Sequence, residues 1–271
     1  MTDPADSQQL FELLRRHHIT LKHRFGQNFL INPALRDAIA QASEATRDDT
    51  VVEVGAGVGT LTVALASRAG RVIAVELDRD LIPALREVVA DIENVEIVQG
   101  DILRTEVRGE IVAGNIPYNL TGALIENLLG PPRRRRGEAP RPRRLSLVVQ
   151  KEVANRWTAT TAASLATVAV QVFADARTVF TIPASAFEPP PKVDSALVVL
   201  DVRAEPAVRV DDYDRFFRFV EAVFQFRRKQ LGGTMRRLGH AELPDLGIDL
   251  TRRPETLDLK EWEGLYRAVN S

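Results

Sequence analysis

A chain of 271 residues that is 45 % hydrophobic has enough apolar material for one large domain and a smaller appendage. The absence of cysteine excludes disulfides, thiolate metal sites and a cysteine nucleophile, and the four histidines show no ligand spacing, so no metal is expected. With 36 basic against 37 acidic residues the net charge is −1, which excludes the bulk electropositivity of many nucleic-acid binders and shifts attention to where the charges fall.

No apolar run approaches a membrane span, and Met1-Thr2-Asp3-Pro4 leads into no secretory apolar stretch, so a cytoplasmic protein is expected. Leu10, Leu13 and Leu14 within residues 7–17 predict a short amphipathic helix. From Leu21 to Leu30, Gly26, amides and cations interleave with two phenylalanines, the pattern of an ordered loop able to close over a ligand. Asn32-Pro33 then supplies an N-cap and a first-turn proline for a helix to about Ala42.

The β-branched run Val51 to Val54 leads into Gly55-Ala56-Gly57-Val58-Gly59 and a helix from Thr60 to Arg68. Glycines allow a tight turn and close approach to a ligand, and a helix start offers free amides. The spacing is G-x-G-x-G with Glu53 ahead of it, which suits a small nucleoside cofactor better than the pyrophosphate of a dinucleotide oxidoreductase. A second strand, Arg71 to Val75, ends in Glu76, a carboxylate placed to accept both hydrogens of a ribose diol. Asp78-Arg79-Asp80 is expected to cap the following helix. A third strand, Val95 to Val98, runs into Asp101 and Ile102, the first able to accept from an adenine amino group and the second to pack on its ring.

The fourth strand, Ile111-Val112-Ala113, delivers Asn115-Ile116-Pro117-Tyr118 to the carboxyl edge of the sheet, where open α/β folds bind ligands. These residue types suit amino-group chemistry on a base. The exocyclic nitrogen of adenine is a poor nucleophile because its lone pair is delocalised into the ring. An Asn side-chain oxygen and a main-chain carbonyl around Ile116 or Pro117, each accepting one N–H, would draw that nitrogen toward tetrahedral geometry. Pro117 stiffens the turn, and Tyr118 offers a flat face for a base.

A helix from Thr121 to about Leu129 precedes the arginine-rich loop 131–144, and a fifth strand, Leu145 to Val149, runs into a helix at Gln150-Lys151-Glu152-Val153. Two last strands, Arg177 to Ile182 and Ser195 to Val202, are expected as a hairpin. Their connector holds Pro189, Pro190 and Pro191, which keep it extended and place Phe187 as a second stacking face. The pattern predicts a doubly wound seven-stranded α/β sheet, Rossmann-like, ending near Arg203. Glu205-Pro206 is the expected linker to a helical segment whose apolar faces are Phe216, Phe217, Val220, Val223 and Phe224, then Leu257, Trp262, Leu265 and Tyr266. Arg227, Arg228, Lys229, Arg236 and Arg237 form a second basic cluster suited to phosphates.

These stretches together resemble the KsgA-type ribosomal RNA adenine dimethyltransferases. The resemblance runs through Arg24 to Leu30, Val52 to Gly57, Val75 to Leu81, Gly100-Asp101, Asn115 to Asn119, Gln150 to Val153, Pro183 to Ser195 and Arg227 to Lys229. Phe187 to Ser195 and Gln150-Lys151-Glu152 favour this branch over the Erm-type enzymes of large-subunit RNA. The resemblance implies transfer of methyl groups from S-adenosylmethionine to N6 of two adjacent adenines in a small-subunit rRNA hairpin loop, within a pre-assembled particle and by a monomer. It implies cofactor contacts at Asn28, Leu30, Gly55, Glu76, Asp101 and Asn115, with Gln27, Gly57, Leu77 and Ile102 beside them. Asn115, Pro117, Tyr118 and Phe187 would form the target site. It further implies a methyltransferase domain over 1–204, with an N-terminal arm over 1–31, and an RNA-binding helical domain over 205–271. Two departures stand out: Ala56 replaces the usual Pro, and Trp157 to Leu165 is shorter than the corresponding substrate-side loop. Alternatives from other classes are an Erm-type enzyme and a ribosome-assembly factor with weak catalysis.

Overall fold

Each central strand is a mostly apolar run buried along most of its length, the signature of a parallel sheet covered on both faces. The computed structural model describes residues 2–22, 26–106, 108–130 and 141–270. Arg24-Phe25 of the N-terminal motif and positions 131–140 of the arginine-rich loop lie outside the described residues.

The chain begins with helix α1 (Ser7–Arg16), a two-residue strand β1 (Phe29–Leu30) and α2 (Pro33–Ala42), whose N-cap Asn32 accepts from the Leu35 amide at 3.0 Å. Strand–helix alternation follows: β2 (Thr50–Val54), α3 (Thr60–Ala66), β3 (Arg71–Glu76), α4 (Ile82–Val88), β4 (Val95–Gln99), β5 (Ile111–Asn115), α5 (Thr121–Leu129), β6 (Arg144–Gln150) and α6 (Lys151–Trp157). Then come α7 (Leu165–Phe173), β7 (Ala174–Ile182), β8 (Phe187–Glu188) and β9 (Ser195–Val202). Seven strands form one sheet in the order β4-β3-β2-β5-β6-β9-β7. The pairs among β4, β3, β2, β5 and β6 are parallel, and β9 runs antiparallel to β6. The expected hairpin strands are neighbours, with β9 between β6 and β7.

The chain winds outward from β2 through β3 to β4 and then returns to β5 on the other side of β2. That reversal is the switch point at which such sheets open a crevice. A side chain on Gly114 would meet the Val54 carbonyl oxygen at 2.5 Å, so the close approach of β5 to β2 there requires glycine. The connector between β7 and β9 is not merely extended. Its β8 pairs antiparallel with β1, Phe29 opposite Glu188 and Leu30 opposite Phe187, which fastens the N-terminal arm.

The chain divides into two compact units. The first holds Met1–Leu124, Pro140–Ala154 and Arg177–Val202, which include the strands from β1 to β6 with β8 and β9. Two apolar clusters fill it, one around Ile39, Val51, Leu65, Ile111, Val148 and Leu197, the other around Leu10, Leu13, Ala74, Leu81 and Leu85. The first unit ends at Val202, and the second gathers Ile125–Ala139 and Asn155–Ala176 with Arg203–Ser271. The reason is packing. In the second unit α8 (Tyr213–Phe224), α9 (Leu231–Arg237) and α10 (Leu259–Asn270) present an aromatic core. Phe173 of α7 stacks on Phe217 at 5.8 Å, and Phe216 meets Tyr266 edge-on at 5.3 Å. The Ala162 amide donates to the Leu257 carbonyl at 2.7 Å, which pins the short 157–165 segment beside the C-terminal helices.

Candidate active site

Four parallel strands end at one edge, and their last residues or following loops bring together Gly55, Glu76, Asp101 and Asn115. One cavity there is lined by the N-terminal arm (Gln27, Asn28, Leu30), the glycine turn (Gly55, Gly57), the β3 end (Glu76, Leu77), the β4 end (Asp101, Ile102), the β5 turn (Asn115, Pro117, Tyr118) and Phe187. The structure thus gathers every residue expected at the cofactor and target sites. Arg227, Arg228, Lys229, Arg236 and Arg237 are exposed in the second unit.

The glycine turn is held from β3. Gly55 and Ala56 amides donate to the Val75 carbonyl at 2.9 and 3.1 Å, and the Gly57 amide donates to Glu76 Oε2 at 2.8 Å. Gly57 sits at φ 61°, in the left-handed region that favours glycine, and a side chain there would press on the Phe29 ring at 3.2 Å. Glu76 Oε1 accepts from the Asp78 amide at 2.7 Å, which fixes the carboxyl plane while leaving a lone pair on each oxygen. Burial pushes its pKa up, against the backbone donors that favour the charged form.

The β5 turn is more selective than its sequence suggests. Asn115 Nδ2 donates to the Asn28 carbonyl at 2.8 Å. A carbonyl can only accept, so this contact fixes the amide orientation and leaves Oδ1 as the outward acceptor. Of the two carbonyls considered alongside it, that of Pro117 already accepts from the Leu120 amide at 2.8 Å, whereas that of Ile116 makes no hydrogen bond among the described residues. Asn115 Oδ1 and the Ile116 carbonyl are thus the acceptors of the turn left uncommitted among the described residues. The Tyr118 ring is half-buried, and its hydroxyl lies 2.8 Å from Ser195 Oγ. Phe187 is only 2 % exposed, because pairing of β8 with β1 draws its ring into the apolar cluster beside Leu30. It closes a wall of the cavity rather than presenting a free stacking face.

Two expectations change at the arm. Asp78 does not cap α4, whose N-cap is Leu81 without a side-chain bond. Instead Asp78 accepts from Lys22 Nζ at 2.6 Å and from Gln27 Nε2 at 2.8 Å, while Gln27 Oε1 accepts from the Lys22 amide. Burial would raise the Asp78 pKa, but Lys22 and Gln27 outweigh it and hold the carboxyl below its usual value. Both ends of the Gln27 amide are thus taken up in holding the arm to the β3–α4 turn. In the arginine-rich loop, Arg143 pairs with Asp49 at 2.9 Å, and Arg144 pairs with Glu44 and Asp201 at 2.5 and 2.6 Å. These two serve the fold.

Sequence reasoning missed Thr60 and Glu53 as cavity residues. The Thr60 hydroxyl is buried, lines the cavity and has no hydrogen-bond partner among the described residues, although a threonine directly after a glycine turn was a signal within reach. Glu53, 1 % exposed, accepts from the Thr62 hydroxyl at 2.5 Å. Burial pushes its pKa up to about 8, opposed by Thr62 and reinforced by Glu76. Between its ordinary 4.5 and about 8 the folded state holds a proton that the unfolded chain has lost, so stability falls as pH rises through that window and levels above it. Melts at about pH 5 and about pH 9 should show the wild type losing up to about 4 kcal/mol relative to Glu53→Gln. Equal pH dependence in both proteins would mean that Glu53 is ionised when folded.

The ribosomal RNA adenine dimethylase profile matches residues 18–250. The chain is 40 % identical to ribosomal RNA small subunit methyltransferase A of Pelotomaculum thermopropionicum, covering 94 % of this chain and 93 % of the relative. It is 36 % identical to the Moorella thermoacetica protein of the same name over 99 % of each. Among solved structures, a dimethyladenosine transferase from Plasmodium falciparum aligns with a TM-score of 0.71 at 25 % identity, covering 88 % of this chain and 96 % of that one. The 23S rRNA methyltransferase ErmE aligns with a TM-score of 0.69 at 29 % identity, covering 90 % and 100 %.

Proposed function

The chain belongs to the ribosomal RNA adenine dimethylases, and on that footing we propose that it dimethylates N6 of two adjacent adenines in a small-subunit rRNA hairpin loop, with S-adenosylmethionine as methyl donor. The observation that carries this reading is the acceptor pair of the β5 turn, Asn115 Oδ1 fixed by the Asn28 carbonyl and the Ile116 carbonyl beside it. The higher identity to small-subunit enzymes than to ErmE favours the small subunit.

The cavity fits the cofactor. An unpartnered buried hydroxyl on Thr60, the oriented carboxyl of Glu76, the Asp101 side chain and the uncovered apolar side chain of Leu77, 52 % exposed, are the donor, acceptor and ring contacts that a nucleoside with an amino-acid tail requires. Glu76 would take the ribose diol, Asp101 the adenine amino group, and Leu77 and Ile102 the ring faces. Asn28, Leu30, Gly55 and Gly57 would enclose the remainder. When bound, S-adenosylmethionine supplies an electrophilic methyl on a sulfonium, a good leaving group.

The chain's own part is positioning. Asn115 Oδ1 and the Ile116 carbonyl accept the two N–H bonds of the target amine and aim its lone pair into the cavity. Tyr118 carries the base on its ring, Pro117 stiffens the turn between these groups, and Phe187 closes the wall behind. No tuned general base is needed, because the methylated ammonium is strongly acidic and gives its proton to water. A base in a hairpin loop leaves its stack at low cost. Arg227, Arg228, Lys229, Arg236 and Arg237 would hold the RNA backbone, the protein acting as a monomer on the pre-assembled small subunit.

The test is transfer of labelled methyl groups to small subunits lacking the modification, with large-subunit RNA in parallel and the products mapped by mass spectrometry. Dimethyladenosine in the small-subunit loop is the expected result. Transfer to the large subunit alone would establish an Erm-type enzyme. Cofactor binding with transfer to neither would leave an assembly factor. The Tyr118–Ser195 contact adds a finer prediction. Ser195→Ala and Tyr118→Phe should each lower turnover by about three- to tenfold, and the double variant no further, since both delete the same bond. Additive losses would show that Ser195 acts elsewhere.

A further inference from the structure

The two basic runs of the second unit are separate in sequence but form one surface. After α8 the chain turns twice, the Phe226 amide donating to Val223 at 3.0 Å and the Lys229 amide to Phe226 at 2.8 Å, which leaves Arg227, Arg228 and Lys229 exposed. α9 buries Leu231, Thr234 and Met235 and turns Arg236 and Arg237 outward. The Arg237 guanidinium then lies over the Phe226 ring, 5.8 Å from its centroid, joining one run to the other. Elsewhere in this unit Arg252 pairs with Glu261 and Arg267 with Glu263. None of these five cations has an ion pair among the described residues.

Phosphate binding explains five unpaired cations but gives no role to an aromatic ring among them. A ring beneath a guanidinium restricts its conformers and dries one of its faces, leaving the other as a flat cationic surface. Unpaired bases stack on arginine planes and aromatic rings, whereas paired RNA offers its backbone and minor groove. We propose that Arg237, backed by Phe226, is a stacking platform for one unpaired RNA base, within a phosphate-binding rim of Arg227, Arg228, Lys229 and Arg236. The platform rests on the RNA-substrate reading above and adds a contact remote in sequence from the adenine that reacts.

The test measures binding of the full chain to a labelled hairpin RNA with an unpaired loop and to a duplex of equal length, between about 50 and about 300 mM salt. Phe226→Leu should weaken loop binding about five- to hundredfold while leaving duplex binding and the slope of log affinity against log salt unchanged. Arg237→Lys, which keeps the charge, should behave in the same way. Arg228→Ala should weaken both RNAs and reduce the slope by about one. Matching melting temperatures establish that each variant is folded. Equal weakening of loop and duplex by Phe226→Leu, or full loop affinity in Arg237→Lys, overturns the platform. A wild type that binds neither RNA overturns the RNA reading itself.

Discussion

Replacing Asn115 by alanine should lower methyl transfer by at least about 10²–10³-fold at saturating cofactor, the loss expected when one preorganised polar group is removed from a reacting centre. Its amide has a fixed half and an uncommitted half: Nδ2 is held by the Asn28 carbonyl, so Oδ1 has a set direction. Alanine removes that direction together with the acceptor. It also frees one bond of the arm, so affinity for S-adenosylhomocysteine, measured by calorimetry, should fall by no more than about tenfold. Kinetic loss far larger than binding loss is the diagnostic. Near-normal turnover in the variant would end the argument from lone-pair orientation.

Glu76→Ala should produce the opposite pattern, with cofactor affinity falling by at least about 100-fold. The carboxyl holds the Gly57 and Asp78 amides at 2.8 and 2.7 Å, so its removal unties the glycine turn and the β3–α4 turn together and deletes the acceptor for the ribose diol. Two charge-assisted bonds at about 1.5–3 kcal/mol each set that scale. Glu76→Gln keeps one acceptor oxygen and should fall between wild type and alanine. An alanine variant that binds S-adenosylhomocysteine normally would remove Glu76 from the cofactor site.

The central sheet was legible because its strands are mostly apolar runs that stop at a polar or glycine residue, as β3 does at Glu76 and β5 at Asn115, and those stops are where ligands gather. What escaped lacks a local signal. The β1–β8 pair is two residues long on each side, too short for any periodicity. α7, LATVAVQVF, is buried almost all round and so carries no polar face to mark its 3.6-residue repeat. Asp78 carries the local signature of a helix cap, and its partner Lys22, 56 positions away, cannot be read from neighbours. Glu53 and Thr60 looked like the flanks of a glycine turn. Only the cavity shows that one is a buried acid and the other an unpartnered hydroxyl.

The assembly of the second unit from separate stretches of chain bears on how the protein is made. Chain synthesis delivers α7 early, before β7, β8 and β9, and delivers Phe217 and Leu257, the partners of Phe173 and Ala162, only afterwards. A nascent chain halted after β9 can therefore have most of its sheet assembled while the apolar surface of α7 still waits for its cover. Fragments that begin at 205 lack that same piece, so the C-terminal helices made alone would expose the Phe217 face and invite aggregation. Any attempt to produce the helical unit separately would have to supply residues 155–176 as well, for instance joined to Arg203–Ser271 through a linker that replaces residues 177–202.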